Sequence, residues 1–224
     1  MKLFIVIIST MWCLGSAHAQ SPENLRDSLS KATESLAYHP DSIDLRLKKV
    51  SWNIQIQQWQ YAKDDLDKVL FLQPGNVAGL YYRAYVNERL NRYKFARLDY
   101  ETLLQIVPGN FEAQLGLALL NQKDKHFTEA LDQINILVQM NPDSAIAYAA
   151  RGGIEVERKM YDLAEYDYAK AHELDSANTD YLYNLVEVSI QLKHKESALA
   201  ALDNLQHIGV PRPKLNYYYR KLGE

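Results

Sequence analysis

The sequence predicts an all-α chain of stacked helix-turn-helix units, an α-solenoid. Three observations carry that expectation: prolines recur at a fixed spacing, several other residue columns share the spacing, and each period holds two sets of helix start and stop signals. Pro40, Pro74, Pro108 and Pro142 stand 34 residues apart, and the next steps fall on Ser176 and on Val210 beside Pro211. Ala62, Ala96, Ala130, Ala164 and Ala198 form an unbroken alanine column at the same period. Trp59, Tyr93, Phe127 and Tyr161 form an aromatic column that breaks at Lys195. Leu66, Tyr100, Ile134, Tyr168 and Leu202 form another, and Leu72, Ile106, Met140, Leu174 and Ile208 are apolar in every copy. Matching columns at one period are the signature of an internal structural repeat.

Within a copy the pattern predicts a first helix over about 77–90 and a second over about 93–106. Asn76, Asn110, Ser144 and Asn178 follow the proline step and are suited to cap the next helix, because a short polar side chain accepts from its orphan N–H groups. Proline just past the second helix stops it, lacking a donor and clashing with the preceding turn. A column that is always alanine implies close approach of two helices. The aromatic column, at the start of the second helix, is suited to fill the wedge between neighbouring units. No unit buries its apolar face alone, so stacked copies must share a core. Five copies are expected, 43–76, 77–110, 111–144, 145–178 and 179–212. A capping helix is expected within 20–42, with Leu25 to Tyr38 as its body, and a C-terminal one within 213–224.

These columns resemble the tetratricopeptide-repeat (TPR) family, whose period is 34 residues and whose alanine precedes an aromatic as in Ala96-x-x-x-Tyr100 and Ala164-x-x-x-Tyr168. Gly152 matches the family's first-helix glycine, with Ala84 and Ala118 as small substitutes. The first-helix tyrosine of the family is replaced by Asn53, Asn87, Asn121, Glu155 and Ser189, and its tryptophan by Arg46, Leu80, Gln114, Tyr148 and Leu182. The resemblance implies a right-handed solenoid whose first helices line a concave, partner-binding surface. Leu47, Ser51, Tyr81, Tyr85, Leu115, Leu119, Ala149, Gly153, Tyr183 and Glu187 would then face inward, with Glu88, Arg89, Gln122, Lys123, Glu157 and Gln191 one turn further on. The clamp by which some family members hold acidic C-termini of heat-shock chaperones is not matched, since its positions carry Leu47, Ser51, Tyr82, Glu112 and Gly116.

The first nineteen residues read as an export signal: Lys2, an apolar run from Leu3 to Leu14, then Ala17-His18-Ala19, placing cleavage between Ala19 and Gln20. The run is too short to span a bilayer, which takes about 20 apolar residues, and no membrane span is expected in the mature chain. The one cysteine, Cys13, follows Trp12 rather than the small residue a lipidation site wants, so it belongs to the discarded segment. Residues 20–224 therefore exclude disulfides, thiolate metal sites and cysteine nucleophiles. A formal net charge of −3 with scattered bases argues against nucleic acid. The short signal, the cysteine-free remainder and the absence of an N-x-Ser/Thr acceptor point to a periplasmic or outer-envelope location in a Gram-negative bacterium.

No catalytic constellation is visible. His126 and His194 sit in equivalent turns two copies apart, too far to share a metal, and read as solvated. His172-Glu173 lacks a zinc-protease partner, and no phosphate loop or nucleophile elbow exists. Asp64, Asp65, Asp162 and Glu165 near the starts of second helices read as helix electrostatics. Gly152-Gly153 reads as a small-residue site for helix packing. Tyr217-Tyr218-Tyr219 is either a buried cap or an exposed docking tail. The expected function is a non-catalytic scaffold that needs no cofactor and holds an unidentified protein or peptide in its groove. The alternative is a self-assembling protein that uses its solenoid ends or the tyrosine-rich helix; the sequence leaves the oligomeric state open.

Overall fold

In the computed structural model, which describes residues 22–223, helices begin where the capping side chains stand. The expected signal and its Ala19–Gln20 cleavage site lie outside the described residues. Twelve α-helices and no strand occur among the described residues: α1 (Pro22–Tyr38), α2 (Ile43–Gln55), α3 (Trp59–Leu72), α4 (Val77–Arg89), α5 (Tyr93–Ile106), α6 (Phe111–Lys123), α7 (Phe127–Met140), α8 (Ala145–Glu157), α9 (Tyr161–Leu174), α10 (Thr179–Leu192), α11 (Lys195–His207) and α12 (Arg212–Leu222). The result is an all-α helical-repeat solenoid. The described chain divides into two compact units, 22–120 and 121–223, with the division inside α6.

The start signals act as expected. Asn76 Oδ1 accepts from Gly79 N at 2.8 Å and Asn110 Oδ1 from Ala113 N at 2.8 Å. Ser42, Ser144 and Asn178 accept in the same way from Leu45, Ala147 and Asp180. Each cap offsets one orphan donor, a contribution of about 1 kcal/mol.

A second junction, inside each copy, carries no glycine to announce it. Gln57, Asn91, Lys125, Lys159 and Lys193, again 34 residues apart, all adopt positive φ between 58° and 65°. The next amide then bonds back five residues, as in Gln58 N to Asn53 O (2.7 Å), Arg92 N to Asn87 O (2.8 Å) and Met160 N to Glu155 O (2.9 Å). This is the Schellman closure, and it turns the chain from first helix to second.

The alanine column is buried without remainder at Ala62, Ala96, Ala130, Ala164 and Ala198. The column at Leu66, Tyr100, Ile134, Tyr168 and Leu202 is buried too, four residues on and so on the same helical face. The fourth apolar column is different. Ile106, Met140 and Ile208 are exposed, while Leu72 and Leu174 are only partly covered. It lies at the end of the second helix, past its packed stretch, and is not core.

Packed among these apolar columns is a buried polar ladder. Arg83 grips Asp99 with Nε and Nη2 at 3.0 and 2.7 Å and reaches Asp67 with Nη1 at 3.1 Å, so one guanidinium ties α4 to α3 and α5. Arg151 repeats this in the second unit, gripping Asp167 at 2.6 and 2.8 Å and Asn135 at 3.1 Å. Lys49 and Arg46 hold Asp65 at 3.1 and 2.8 Å. Asp65 thus answers to buried cations, not to the helix N-terminus near which the sequence placed it. Removing one partner of such a pair typically costs about 3–5 kcal/mol, because the other charge is left buried.

Asn87 donates to Asp99 (3.3 Å) and Asn121 to Gln133 (2.8 Å). Glu155 stands in the same column and can donate to Asp167 only when protonated. Burial first, then the Asp167 charge, push its carboxyl up to about 8 against the pull of Arg151. Between the ordinary carboxylate range and about 8 the folded chain holds a proton that the unfolded chain has lost, so stability must fall as pH rises through that window.

Two outcomes follow from these junctions and this ladder. Glu155→Gln supplies the amide donor without a proton: its Tm at pH 8–9 should exceed that of the parent by several degrees, and the difference should shrink towards pH 5 in a pH series of thermal melts. Lys159→Gly should raise stability by up to about 1 kcal/mol by relieving the left-handed conformation, and Asn91→Gly should raise it less because Asn tolerates that region. Urea titration of both variants measures the difference.

Candidate functional site

In the unit 22–120, the first-helix residues singled out from the sequence gather around an aromatic cluster. Tyr81 meets Tyr82 and Tyr100 edge-on, with ring centroids 5.8 and 6.2 Å apart. Tyr85 lies 6.1 Å from Trp59, and the Arg89 guanidinium covers the other part of that indole at 5.1 Å. Trp59 opens α3, so the aromatic column does reach the first helix of the next copy. The Tyr100 hydroxyl donates to Glu88 Oε1 at 3.3 Å.

The helix periodicity explains the arrangement: positions 81, 85 and 88 lie on one face of α4, three or four residues apart. Tyr81 and Tyr85 are half-buried, each packed against a core cluster. Burial pushes the Tyr81 hydroxyl up to about 12, with the Glu112 and Glu88 charges adding to it. Burial raises Tyr85 as well, opposed by Arg89. Both hydroxyls therefore remain protonated donors at neutral pH. Leu47 and Ser51 on α2, and Leu115 and Leu119 on α6, are half-buried.

Gly116 of α6 is the residue that makes room for this cluster. A Cβ there would lie 2.6 Å from Tyr100 Cζ, so the Tyr100 ring rests directly on the α6 backbone. The tyrosine of the second helix and the glycine of the following first helix are complementary.

In the unit 121–223 the expected inward residues have a different fate. Gln122 hydrogen-bonds Glu157, whose carboxyl is nonetheless raised by burial, and Lys123 is exposed. Ala149 is sealed in the core rather than presented on a surface. A Cβ added at Gly153 would lie 3.7 Å from the Tyr168 hydroxyl, and one at Gly152 would lie 3.2 Å from that ring. Gln191 is exposed. Tyr183 and Glu187 lie beneath α12: the Tyr218 ring sits 6.1 Å from Tyr183, its hydroxyl bonds Glu187, and Lys221 Nζ is 3.7 Å from Glu187.

The tyrosine triplet is thus divided. Tyr219 is buried, receiving Gln206 Nε2 on its hydroxyl at 2.7 Å with Arg212 stacked 4.5 Å above the ring. Tyr218 is half-buried and Tyr217 is exposed. Leu215, fully buried, anchors the helix.

The polar groups do not assemble into nucleophilic chemistry. Ser189 Oγ, fully buried, donates to Glu165 Oε1 at 2.6 Å, while His194 Nδ1 meets the other oxygen at 2.9 Å. The carboxylate lies between serine and histidine, so the histidine is not placed to take the serine proton. His126 is an exposed turn residue 3.6 Å from Asp124. Among the described residues no three His, Cys, Asp or Glu side chains are grouped to hold a metal, and no helix is long and apolar enough to cross a membrane.

No protein-family model matches the sequence, nor does any curated protein sequence. Solved structures do match the fold. A tetratricopeptide repeat protein from Parabacteroides merdae ATCC 43184 is 19% identical, covers 90% of this chain and 79% of its own length, and superposes with a TM-score of 0.71. PilW, described as a widely conserved type IV pilus biogenesis factor, is 16% identical over 83% of this chain and 86% of its own, with a TM-score of 0.73. YrrB, a TPR protein with an unusual peptide-binding site, is 21% identical over 80% and 92%, with a TM-score of 0.56. The chain has the TPR fold.

The packing of Tyr100 gives a direct check on the cluster. Gly116→Ala should cost about 1–3 kcal/mol, since ring and backbone have nowhere to yield. Gly153→Ala, where the added carbon makes ordinary contact, should stabilise α8 by up to about 1 kcal/mol through helix propensity. Chemical denaturation of the two variants beside the parent distinguishes them.

Proposed function

We propose that this chain is a non-catalytic protein-interaction scaffold of the cell envelope, exported by residues 1–19. It binds an extended peptide or a partner helix along its first-helix faces. The five units at 43–212 form the scaffold, and the segments 20–42 and 213–224 close its ends. The observation that carries this reading is the pair Tyr81 and Tyr85. Both rings are held by packing yet only half-buried, with a protonated hydroxyl, the combination that makes tyrosine an anchor for partners at small entropic cost. Leu47, Ser51, Glu88, Arg89, Leu115 and Leu119 surround that anchor in its own unit, and Gln122, Lys123, Tyr183 and Glu187 are the matching positions in the other. The likeness to a TPR protein with a peptide-binding site and to a pilus biogenesis factor supports the binding class and the envelope setting.

A second reading, self-assembly, is favoured by one observation: Tyr61, Phe95 and Leu98 in one unit, and Leu163, Tyr166 and Tyr217 in the other, are at least half exposed. Static light scattering separates the two readings. Concentration-dependent mass growth supports self-assembly, and a constant monomer mass excludes it.

The scaffold reading is tested by capture from envelope extract on immobilised protein, beside Tyr81→Ala/Tyr85→Ala. A specific protein retained by the parent should bind the variant more weakly by about 2 kcal/mol, or roughly 30-fold, while helicity is kept. Equal retention on a folded variant removes these tyrosines from the function. A large loss of Tm without a partner-specific effect makes them core residues.

A further inference from the structure

The buried asparagine column is used in two copies and left over in one. Asn87 and Asn121 spend their amides on Asp99 and Gln133. Asn53 is 2% exposed, and its side chain makes no hydrogen bond to another of the described residues. It lines a cleft of about 680 Å³ between α1 and the α2–α3 hairpin, within the range of ligand-binding clefts. Unlike Asn87 Oδ1, which is sealed and unpaired, the Asn53 amide opens onto the cleft. It also offers two donors and an acceptor, the complement of a peptide group's C=O and N–H.

The walls add two features. Leu29 and Ile56 supply apolar surface, and Tyr61, 66% exposed, stands at the rim as a platform. Arg26 and Glu34 lie eight residues apart on α1, both lining the cleft, and neither forms an ion pair with another of the described residues. Eight residues of helix span about 12 Å. An extended chain covers that distance in about four residues at about 3.3 Å each. The cleft therefore has an amide-reading floor and opposite charges at a separation that suits one short extended segment.

We propose that this cleft is a peptide-binding site distinct from the tyrosine-bearing first-helix face. It takes an extended segment with an acidic and a basic side chain four residues apart, its backbone read by the Asn53 amide. The acid pairs with Arg26 and the base with Glu34. The occupant is a partner protein's extended segment, because a globular surface cannot present its backbone to a buried amide.

The probe is acetyl-Asp-Ala-Val-Ala-Lys-amide, titrated into the 15N-labelled full chain. Saturable shifts of the Asn53 side-chain amide signals are expected, with Tyr81 and Tyr85 unmoved. Acetyl-Lys-Ala-Val-Ala-Lys-amide should bind about three- to fivefold more weakly, since one exposed ion pair is worth up to about 1 kcal/mol. Arg26→Glu, on the exposed side of α1, should reverse that order of preference without loss of Tm. Asn53→Ala should abolish binding of both peptides. Unmoved Asn53 signals, equal binding of the two peptides, or an unchanged preference in Arg26→Glu each overturn the proposal. If Asn53→Ala lowers Tm, the Arg26→Glu reversal alone decides the matter. The tyrosine variant leaves this titration unchanged, so the two sites fail or survive separately.

Discussion

Everything in this fold depends on how closely the helices of a copy and its neighbours approach at the alanine column. Ala62, Ala96, Ala130, Ala164 and Ala198 are sealed completely, so no longer side chain fits there without parting helices. That contact fixes the second helix against its neighbours, and the large residues four positions later then have only one direction to fill. Each tyrosine finds a glycine on a different side: Tyr100 rests on Gly116 of the following first helix, and Tyr168 faces Gly152 of the first helix before it. Alanine and the large residue four positions on are the repeating pair, and glycine answers it only where that residue is tyrosine.

Close approach also determines where charge can be buried. Asp65, Asp99 and Asp167 are buried among these helices, so each acid needs a cation carried by the neighbouring first helix. The cations sit sixteen residues earlier in each case: Lys49, Arg83 and Arg151. The two copies without an acid have no base either, with Leu117 before Gln133 and Leu185 before Ala201. Such pairs contribute little net stability compared with apolar residues of the same shape, since desolvation offsets the attraction. Their effect is on register: a helix shifted by one residue leaves a charge buried alone. Arg83 and Arg151, each reaching an additional acceptor on the preceding second helix, extend that control from one hairpin to the next.

The period, the helix ends and the caps were legible because they rest on residue types that do not vary: alanine, proline, Asn or Ser. The polar ladder was not, although its signal was present. Its columns mix Asn with Glu and Ser, or Asp with Gln and Ala, and look unremarkable singly; the information lies in the joint change of positions sixteen apart. Asp65 was misread for the same reason, since proximity to a helix start is a local cue and the Arg46 and Lys49 partners are not local. The left-handed turn at Gln57, Asn91, Lys125, Lys159 and Lys193 escaped notice because none of the five is glycine. There the hydrogen bonds of the hairpin impose the conformation on whatever residue stands in place. The candidate positions differ in burial in a way their sequence column does not show: Tyr81 and Tyr85 are half-buried, whereas the equivalent Ala149 is core and the equivalent Tyr183 lies under α12.

That last difference bears on how the ends of the stack divide the labour. A terminal copy has an apolar face with no successor, and α12 covers it with Leu215 and Tyr219. The same helix is long enough to lay Tyr218 and Lys221 over Tyr183 and Glu187, so closure at this end takes up first-helix surface. At the other end α1 buries Leu25, Ala32 and Leu36 and yet leaves the Asn53 amide facing a cleft. At the α12 end polar groups pair across helices, Gln206 with Tyr219 and Lys221 with Glu187. By contrast, α1 spends its own locally, Lys31 on Asp27 and Ser28, Thr33 and Ser35 on its backbone carbonyls. What an end helix covers therefore decides which first-helix surface stays open: α12 takes Tyr183 and Glu187, and α1 leaves Asn53 on its cleft.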